Sequence, residues 1–217
     1  PMAHMITADR IAEVREEYED LAVVCYVNST AEIKAVSDVC VTSSNAVKVV
    51  SNIPQKNIFF VPDNNLGRYV AEKLPEKHFI FHDGFCHVHK SIHAAELQAA
   101  KDACPDALVL THPECTEDVV AMSDFVGSTS EIIDFATQSD CKKFIICTEM
   151  GVFFELQQKN PDKKFYSVGH RQFCPNMKKV TIDKVEQRLC GTGQDLVGER
   201  DLLKFSAAEL LKHLLDF

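Results

Sequence analysis

One feature limits this chain more than any other: much of it occurs twice. Residues 25 to 50, CYVNSTAEIKAVSDVCVTSSNAVKVV, return 86 positions later as residues 111 to 136, THPECTEDVVAMSDFVGSTSEIIDFA. The copies align without a gap, with Ser37-Asp38 over Ser123-Asp124, Tyr26 over His112, Asn28 over Glu114, and Thr42-Ser43-Ser44 over Ser128-Thr129-Ser130. Phe59 to Asp63 lies over Ile145 to Glu149 at the same offset. Whatever fold the first copy takes, the second is expected to take as well.

The pattern inside each copy predicts that fold. Residues 7 to 18 read as a helix, with Thr7 as N-cap and Ile6, Ile11 and Val14 on roughly one face. LAVVCYV is a short apolar run that suits a strand buried on both faces. Helix and strand then alternate through AEIKAVS, VCVTS, NAVKVVSNI, NIFFVP, LGRYVAEKL and KHFIFHD. The second copy follows the same plan with DALVLTHP, EDVVAMS, DFVGS, SEIIDFATQ and KKFIICTE. Such alternation predicts an α/β protein of repeated three-layer αβα units, each with a parallel sheet covered on both sides. The boundary is expected near HDGFCHVHKS, giving units at 1–87 and 88–174 and a C-terminal segment at 175–217. That segment contains KKVTIDKVEQRLC and a closing amphipathic helix, AAELLKHLLDF, with no second domain of its own.

Composition narrows the partners. With 217 residues, 46% of them hydrophobic, the chain can bury a sizeable core. The net charge of -9 and the absence of any run of five basic residues argue against nucleic acid or an anionic membrane as the main partner. A small anionic ligand stays open, because backbone dipoles can bind one on an acidic protein. No apolar run approaches the roughly 20 residues of a bilayer span, and PMAHMITADRIAEVREEYEDL lacks the apolar core of a signal peptide. The expected location is cytoplasmic. Nine cysteines at irregular spacing read as reduced thiols rather than a disulfide framework.

Two of those cysteines stand apart. Cys86 in DGFCHVHK and Cys174 in RQFCPNMKK end the two units in the same Phe-Cys pair, 88 residues apart. Cys25, Cys40, Cys104, Cys141 and Cys147 read as small buried hydrophobes, and Cys115 and Cys190 as structural. Zinc held by Cys86, His87 and His89 is a rival reading, but no second ligand pair completes a structural site. A dithiol redox protein finds little support, since no C-x-x-C pair occurs. The opening PMAHM matches CPNMKK loosely, which would place a third cysteine just before Pro1 and make the chain the last two-thirds of a three-unit protein.

The loops at strand ends hold the polar candidates. TSSN and GSTS lie between a strand and a helix, where hydroxyls and free amides could hold phosphate or carboxylate; as ordinary N-caps they would do no more than start the helices. Tyr26, Asn28, His112 and Glu114 follow the first strand of their units, at the ends where open α/β sheets bind ligands. A surface histidine and a helix-terminal carboxylate are the plainer readings of His112 and Glu114. Arg68 and Lys90 read as solvated charges.

YVNSTAEIKAVSDVCVTSSNAVKVV, PDNNLGRYVAEKL, HPECTEDVVAMSDFVGSTSEII, CTEMG and CPNMKK together resemble the quinolinate synthase family of de novo NAD synthesis, over nearly all of residues 1 to 190. The resemblance implies three αβα units around a pseudo-threefold axis. Residues 1–87 would be the second unit, 88–174 the third, and 175–217 would pack on a first unit absent from this sequence. It implies a 4Fe-4S cluster held by one cysteine per unit, here Cys86 and Cys174, with the third upstream of Pro1. Three thiolates for four irons leave one iron open as a Lewis acid. The reaction implied is a transferase condensation of iminoaspartate with dihydroxyacetone phosphate, losing phosphate and water, with iminoaspartate supplied by an aspartate oxidase or dehydrogenase. Glu114 would act as acid/base with His112 as its partner or as a substrate ligand, and Tyr26, counted with these two as catalytic, would orient substrate together with Asn28. Ser43, Thr129 and His89 would bind it. The family's first unit also supplies a catalytic His and Tyr, which these 217 residues do not contain. The alternative is a non-catalytic, anion-binding α/β protein without the cluster.

Overall fold

A computed structural model describes residues 1–169 and 171–190. After a single 3₁₀ turn at Met2–His4, the first half runs α1 (Ala8–Glu17), β1 (Leu21–Tyr26), α2 (Ala31–Ala35), β2 (Val39–Val41), α3 (Ala46–Asn52), β3 (Asn57–Val61), α4 (Asn64–Lys73) and β4 (His78–Phe81). Two helices follow, α5 (His87–Lys90) and α6 (Ala94–Ala103). The second half repeats the plan with β5 (Leu108–Thr111), α7 (Glu117–Val120), β6 (Phe125–Val126), α8 (Thr129–Gln138), β7 (Lys143–Cys147), α9 (Val152–Lys159) and β8 (Lys164–Ser167), and a 3₁₀ turn leads to α10 (Ile182–Leu189). The strands form two four-stranded, wholly parallel sheets, ordered β2-β1-β3-β4 and β6-β5-β7-β8. The α/β class expected from the sequence is the one observed. The expected helix AAELLKHLLDF lies outside the described residues.

Both faces of each sheet are buried, which is why the strands read as continuous apolar runs. In the first, Val24, Tyr26 and Phe60 pack under α3 and α4 with Val49, Val50 and Leu66, while Val23, Cys25 and Phe59 pack on the other face under Ile11, Val14 and Ile33. The second repeats this, with Leu110 and Ile146 against α8 and α9, and Val109 and Ile145 against Leu97 and Val119. Helix α4 begins two residues before the expected stretch because the Asp63 carboxylate accepts from Leu66 N at 2.7 Å.

The repeated Ser-Asp pair has a mechanical role. The Ser37 hydroxyl donates to Ile33 O at 2.7 Å and that of Ser123 to Val119 O at 2.9 Å, closing the short helices α2 and α7. Asp38 Oδ2 accepts from Val23 N at 2.7 Å, and Asp124 Oδ2 from Val109 N at the same distance. Each aspartate therefore ties its loop to the central strand. Lys77 and Lys163, also 86 residues apart, donate to carbonyls at the ends of α3 and α8. None of the helices among the described residues is long and apolar enough to cross a membrane.

Losing a charge-assisted bond to a strand amide costs about 1–3 kcal/mol. Asp124→Ala is therefore expected to lower the unfolding free energy by that amount. Asp38→Ala should cost slightly more, because Asp38 also pairs with Arg15 at 2.9 Å on the surface. Urea unfolding beside Glu16→Ala, an exposed position on α1 expected to be nearly neutral, reads out the difference.

Candidate active site

Parallel strands send all their carboxyl ends to one edge of a sheet. Here the edges of both sheets open on one cavity of about 730 Å³. Tyr26 and Asn28 reach it from the end of β1, His112 and Glu114 from β5, and Thr148 and Glu149 from β7. Cys86 and α5 enter from one side, Cys174 to Lys178 from another, and Pro1 to Ala3 complete the wall. The two halves are also joined through α4, since Asn65 Nδ2 donates to Glu114 O at 2.9 Å and the Tyr69 hydroxyl to Val126 O at 3.4 Å.

The wall contains a buried charge group. His89 Nδ1 lies 2.7 Å from Glu114 Oε2 and His89 Nε2 lies 2.9 Å from Thr148 Oγ1. The approach to Glu114 is off the line of a hydrogen bond, so the pair is held chiefly by charge, and Glu114 Oε1 has no hydrogen-bond partner. The His112 ring stacks on that of His89 with centroids 4.7 Å apart. Its Nδ1 accepts from Glu114 N at 3.3 Å, which places the ring proton on Nε2.

Electrostatics divides the two histidines. Burial disfavours charge on His89, but the Glu114 carboxylate and the neighbouring Cys86 outweigh it and raise the imidazole to about 10. Burial and the adjacent His89 cation push His112 down to about 3, so that ring is neutral. Burial pushes Glu114 up, yet the His89 cation brings it below its ordinary value. At neutral pH the group is therefore a His89 cation, a Glu114 anion and a neutral His112. Burial raises the Tyr26 phenol well above its ordinary value, so it is a proton-bearing donor. Burial, with the Glu114 charge, also lifts Asp63 to about 7.

Of the residues singled out from the sequence, Tyr26, Asn28, Cys86, His89, His112, Glu114, Thr129 and Cys174 all line the cavity. Ser43 is not in its lining. Thr129 is the first residue of α8, behind the N-cap Ser128, whose side chain forms a capping box with Glu131. The zinc reading expected Cys86, His87 and His89. The atoms that cluster, within 4.8 Å of one another, are instead those of Cys86, His89 and Glu114, while His87 is exposed. Cys25, Cys40, Cys115 and Cys147 are core residues, Cys104 and Cys141 are half-buried, and Cys190 is exposed. Arg68 and Lys90 are exposed, as expected of solvated charges, and each lies over an aromatic ring, Phe81 and Phe85 respectively.

Sequence reasoning did not single out Asp63, Thr148, Glu149 or Lys178. The signal for two of them was present, because the repeat lays Asp63 over Glu149.

The chain matches the family model of the quinolinate synthetase A protein, NadA, over residues 1–215. It is 48% identical over 214 residues to the quinolinate synthase of Caldicellulosiruptor saccharolyticus, covering 99% of this chain and 71% of that protein. It is 46% identical to the quinolinate synthase of Fusobacterium nucleatum, with the same shares covered. Against that of Clostridioides difficile the identity is 43% over 210 residues, 97% of this chain and 69% of the relative. These relatives are named as enzymes, and the match spans both repeats and the whole cavity wall. The chain belongs to the quinolinate synthetase A protein family.

Proposed function

We propose that this protein is a quinolinate synthase, a transferase that condenses iminoaspartate with dihydroxyacetone phosphate and expels phosphate and water. The observation that carries this reading is that Cys86 and Cys174, from equivalent repeat ends, open into the same cavity as the His89–Glu114–His112 group. Both thiols are free and half-buried. Soft donors of this kind suit the 4Fe-4S cluster that the family implies. Cys86 and Cys174 would be two of its ligands, and the third would come from outside these 217 residues. When bound, the cluster supplies a Lewis-acidic iron that polarises a substrate oxygen or nitrogen.

The chain's own residues supply the proton handling. Glu114, anionic and with Oε1 unengaged, is the base for imine and enol steps. His112 offers a neutral Nε2–H as donor. The His89 cation holds Glu114 in its charged form and is held in turn by Thr148. Tyr26 and Asn28 orient the substrate from the end of β1. The start of α8 at Thr129 offers free amides to a phosphate or carboxylate.

The exposed apolar side chains of Val180 and Ile182 favour packing of the segment from 175 onward on a further unit. Free thiols throughout the described chain suit a reducing cytoplasm. The substrates are small, iminoaspartate comes from an aspartate oxidase or dehydrogenase, and neither nucleic acid nor membrane is a partner. A second reading, an anion-binding α/β protein without the cluster, is favoured only by the start of α8.

Anaerobic reconstitution with iron and sulfide separates the two readings. The expected result is about four irons per chain in protein of the relatives' full length, lost in Cys86→Ala and in Cys174→Ala, and none in the 217-residue chain. Absence of iron from every form would leave the anion-binding reading. For the chemistry, Glu114→Gln is expected to lower kcat by about 10²–10⁴-fold with a smaller change in KM, measured as quinolinate formed.

A pH prediction follows from the charge pair. Because the folded pKa of His89 is raised, its contribution to stability is fully present below about 6.5, its unfolded value, and lost as pH rises through about 10. Unfolding experiments between pH 8 and 11 should therefore show a steeper loss in the parent than in Glu114→Gln, where His89 has no anion to hold its proton.

A further inference from the structure

The two repeats share a construction at the cysteines that their differing residue types conceal. Asp63 is fully buried and stands just past the end of β3. Its Oδ1 accepts from Leu66 N in the first turn of α4 at 2.7 Å, and its Oδ2 accepts from the backbone N of Cys86 at 2.9 Å. Glu149, its counterpart past β7, divides its oxygens in the same way. Oε2 accepts from Gly151 N, just before α9, at 2.6 Å, and Oε1 accepts from the backbone N of Cys174 at 3.2 Å. Asn64 N bonds to Gly84 O at 2.8 Å, and Met150 N to Gln172 O at 2.8 Å. In both halves the residue two before the cysteine is thereby tied to the residue after the carboxylate.

The differences between the halves compensate one another. Helix α9 starts two residues later relative to its carboxylate than α4 does, and Glu149 accordingly accepts from Gly151 two residues on, before the helix, where Asp63 accepts from Leu66 three residues on, within it. Gly151 allows the close approach, because a Cβ there would meet Glu149 Oε2 at 2.6 Å. Gly84 does the same on the other side, where a Cβ would meet Pro62 O at 2.2 Å. Glu149 is also paired with Lys178, four residues beyond Cys174, at 3.2 Å.

We infer that Asp63 and Glu149 are paired positioning residues for the metal centre, each fixing the backbone amide of one cysteine so that its thiol faces the cavity. The inference rests on the cluster reading and goes beyond it, since a thiolate could open into the cavity without either carboxylate. Carboxylates that orient the first ligands of a metal typically change its retention by about 10–100-fold when removed. Their hydrogen bonds to the cysteine amides also lie beside the cluster, where charge and hydrogen bonding set its potential.

The test uses the full-length, cluster-loaded enzyme and two readouts besides activity: the rate at which a chelator strips iron, and the reduction potential of the cluster. Asp63→Asn and Glu149→Gln are each expected to lose iron about tenfold faster or more, with the potential shifted upward. Asp124→Asn, which loosens a loop away from both cysteines, is the control and should leave both unchanged at equal loss of thermal stability. Glu149→Gln carries the test if Asp63→Asn fails to fold, because Glu149 lies at the cavity wall with part of its side chain in contact with Lys178. Iron loss and potential at parent values in Glu149→Gln would overturn the assignment while leaving the cluster reading intact. A parent enzyme that binds no iron would overturn the cluster reading, and this assignment with it.

Discussion

Parallel pairing of short strands is the constraint on which the rest of this structure depends. A parallel sheet cannot be closed by tight turns, so every strand is followed by a helix that returns across a face. That requirement buries both faces, makes the strands apolar throughout, and moves chain polarity to the loops. It also sends every strand-to-helix loop to the carboxyl edge. With two such sheets in contact, those edges share a cavity, and its polar wall is built from strand ends, the loops that follow them and the first turns of helices.

Within the wall, one buried cation organises the charges. Glu114 is nearly inaccessible, and an isolated carboxylate there would be driven to its neutral form. His89 prevents this from 2.7 Å away, and its own charge is stable because Glu114 is there. The same cation suppresses charge on the stacked His112, so two similar histidines differ in protonation through position alone. An anion with an unengaged oxygen beside a neutral ring carrying a proton is suited to moving protons in either direction.

The repeat and its strands were legible because they rest on short-range pattern. Thr7 as a cap, Ile11 and Val14 as a buried face, and LAVVCYV as a strand all follow from spacing along the chain. Repeat alignment also reached Tyr26, Asn28, His112 and Glu114, since equivalent positions after equivalent strands open on the same edge. It failed where equivalence does not survive packing: Thr129 reaches the cavity, whereas its counterpart Ser43 does not. Likewise, nearness in sequence suggested His87 as a companion to Cys86; His87 lines the cavity but stays outside the cluster of donor atoms, where Glu114 joins Cys86 and His89 instead.

By itself the sequence determined the α/β class, the two copies, the strands and the shared Phe-Cys endings, because these follow from local periodicity and from the repeat. Only the tertiary structure decided that His89 pairs with Glu114 and that His112 is neutral. It alone showed that Asp63 and Glu149 hold the amides of the two cysteines. Those outcomes depend on distances between loops of different sheets, on burial that changes the cost of charge, and on side chains of unequal length making equal contacts. None of these is written in the spacing of residues along one chain.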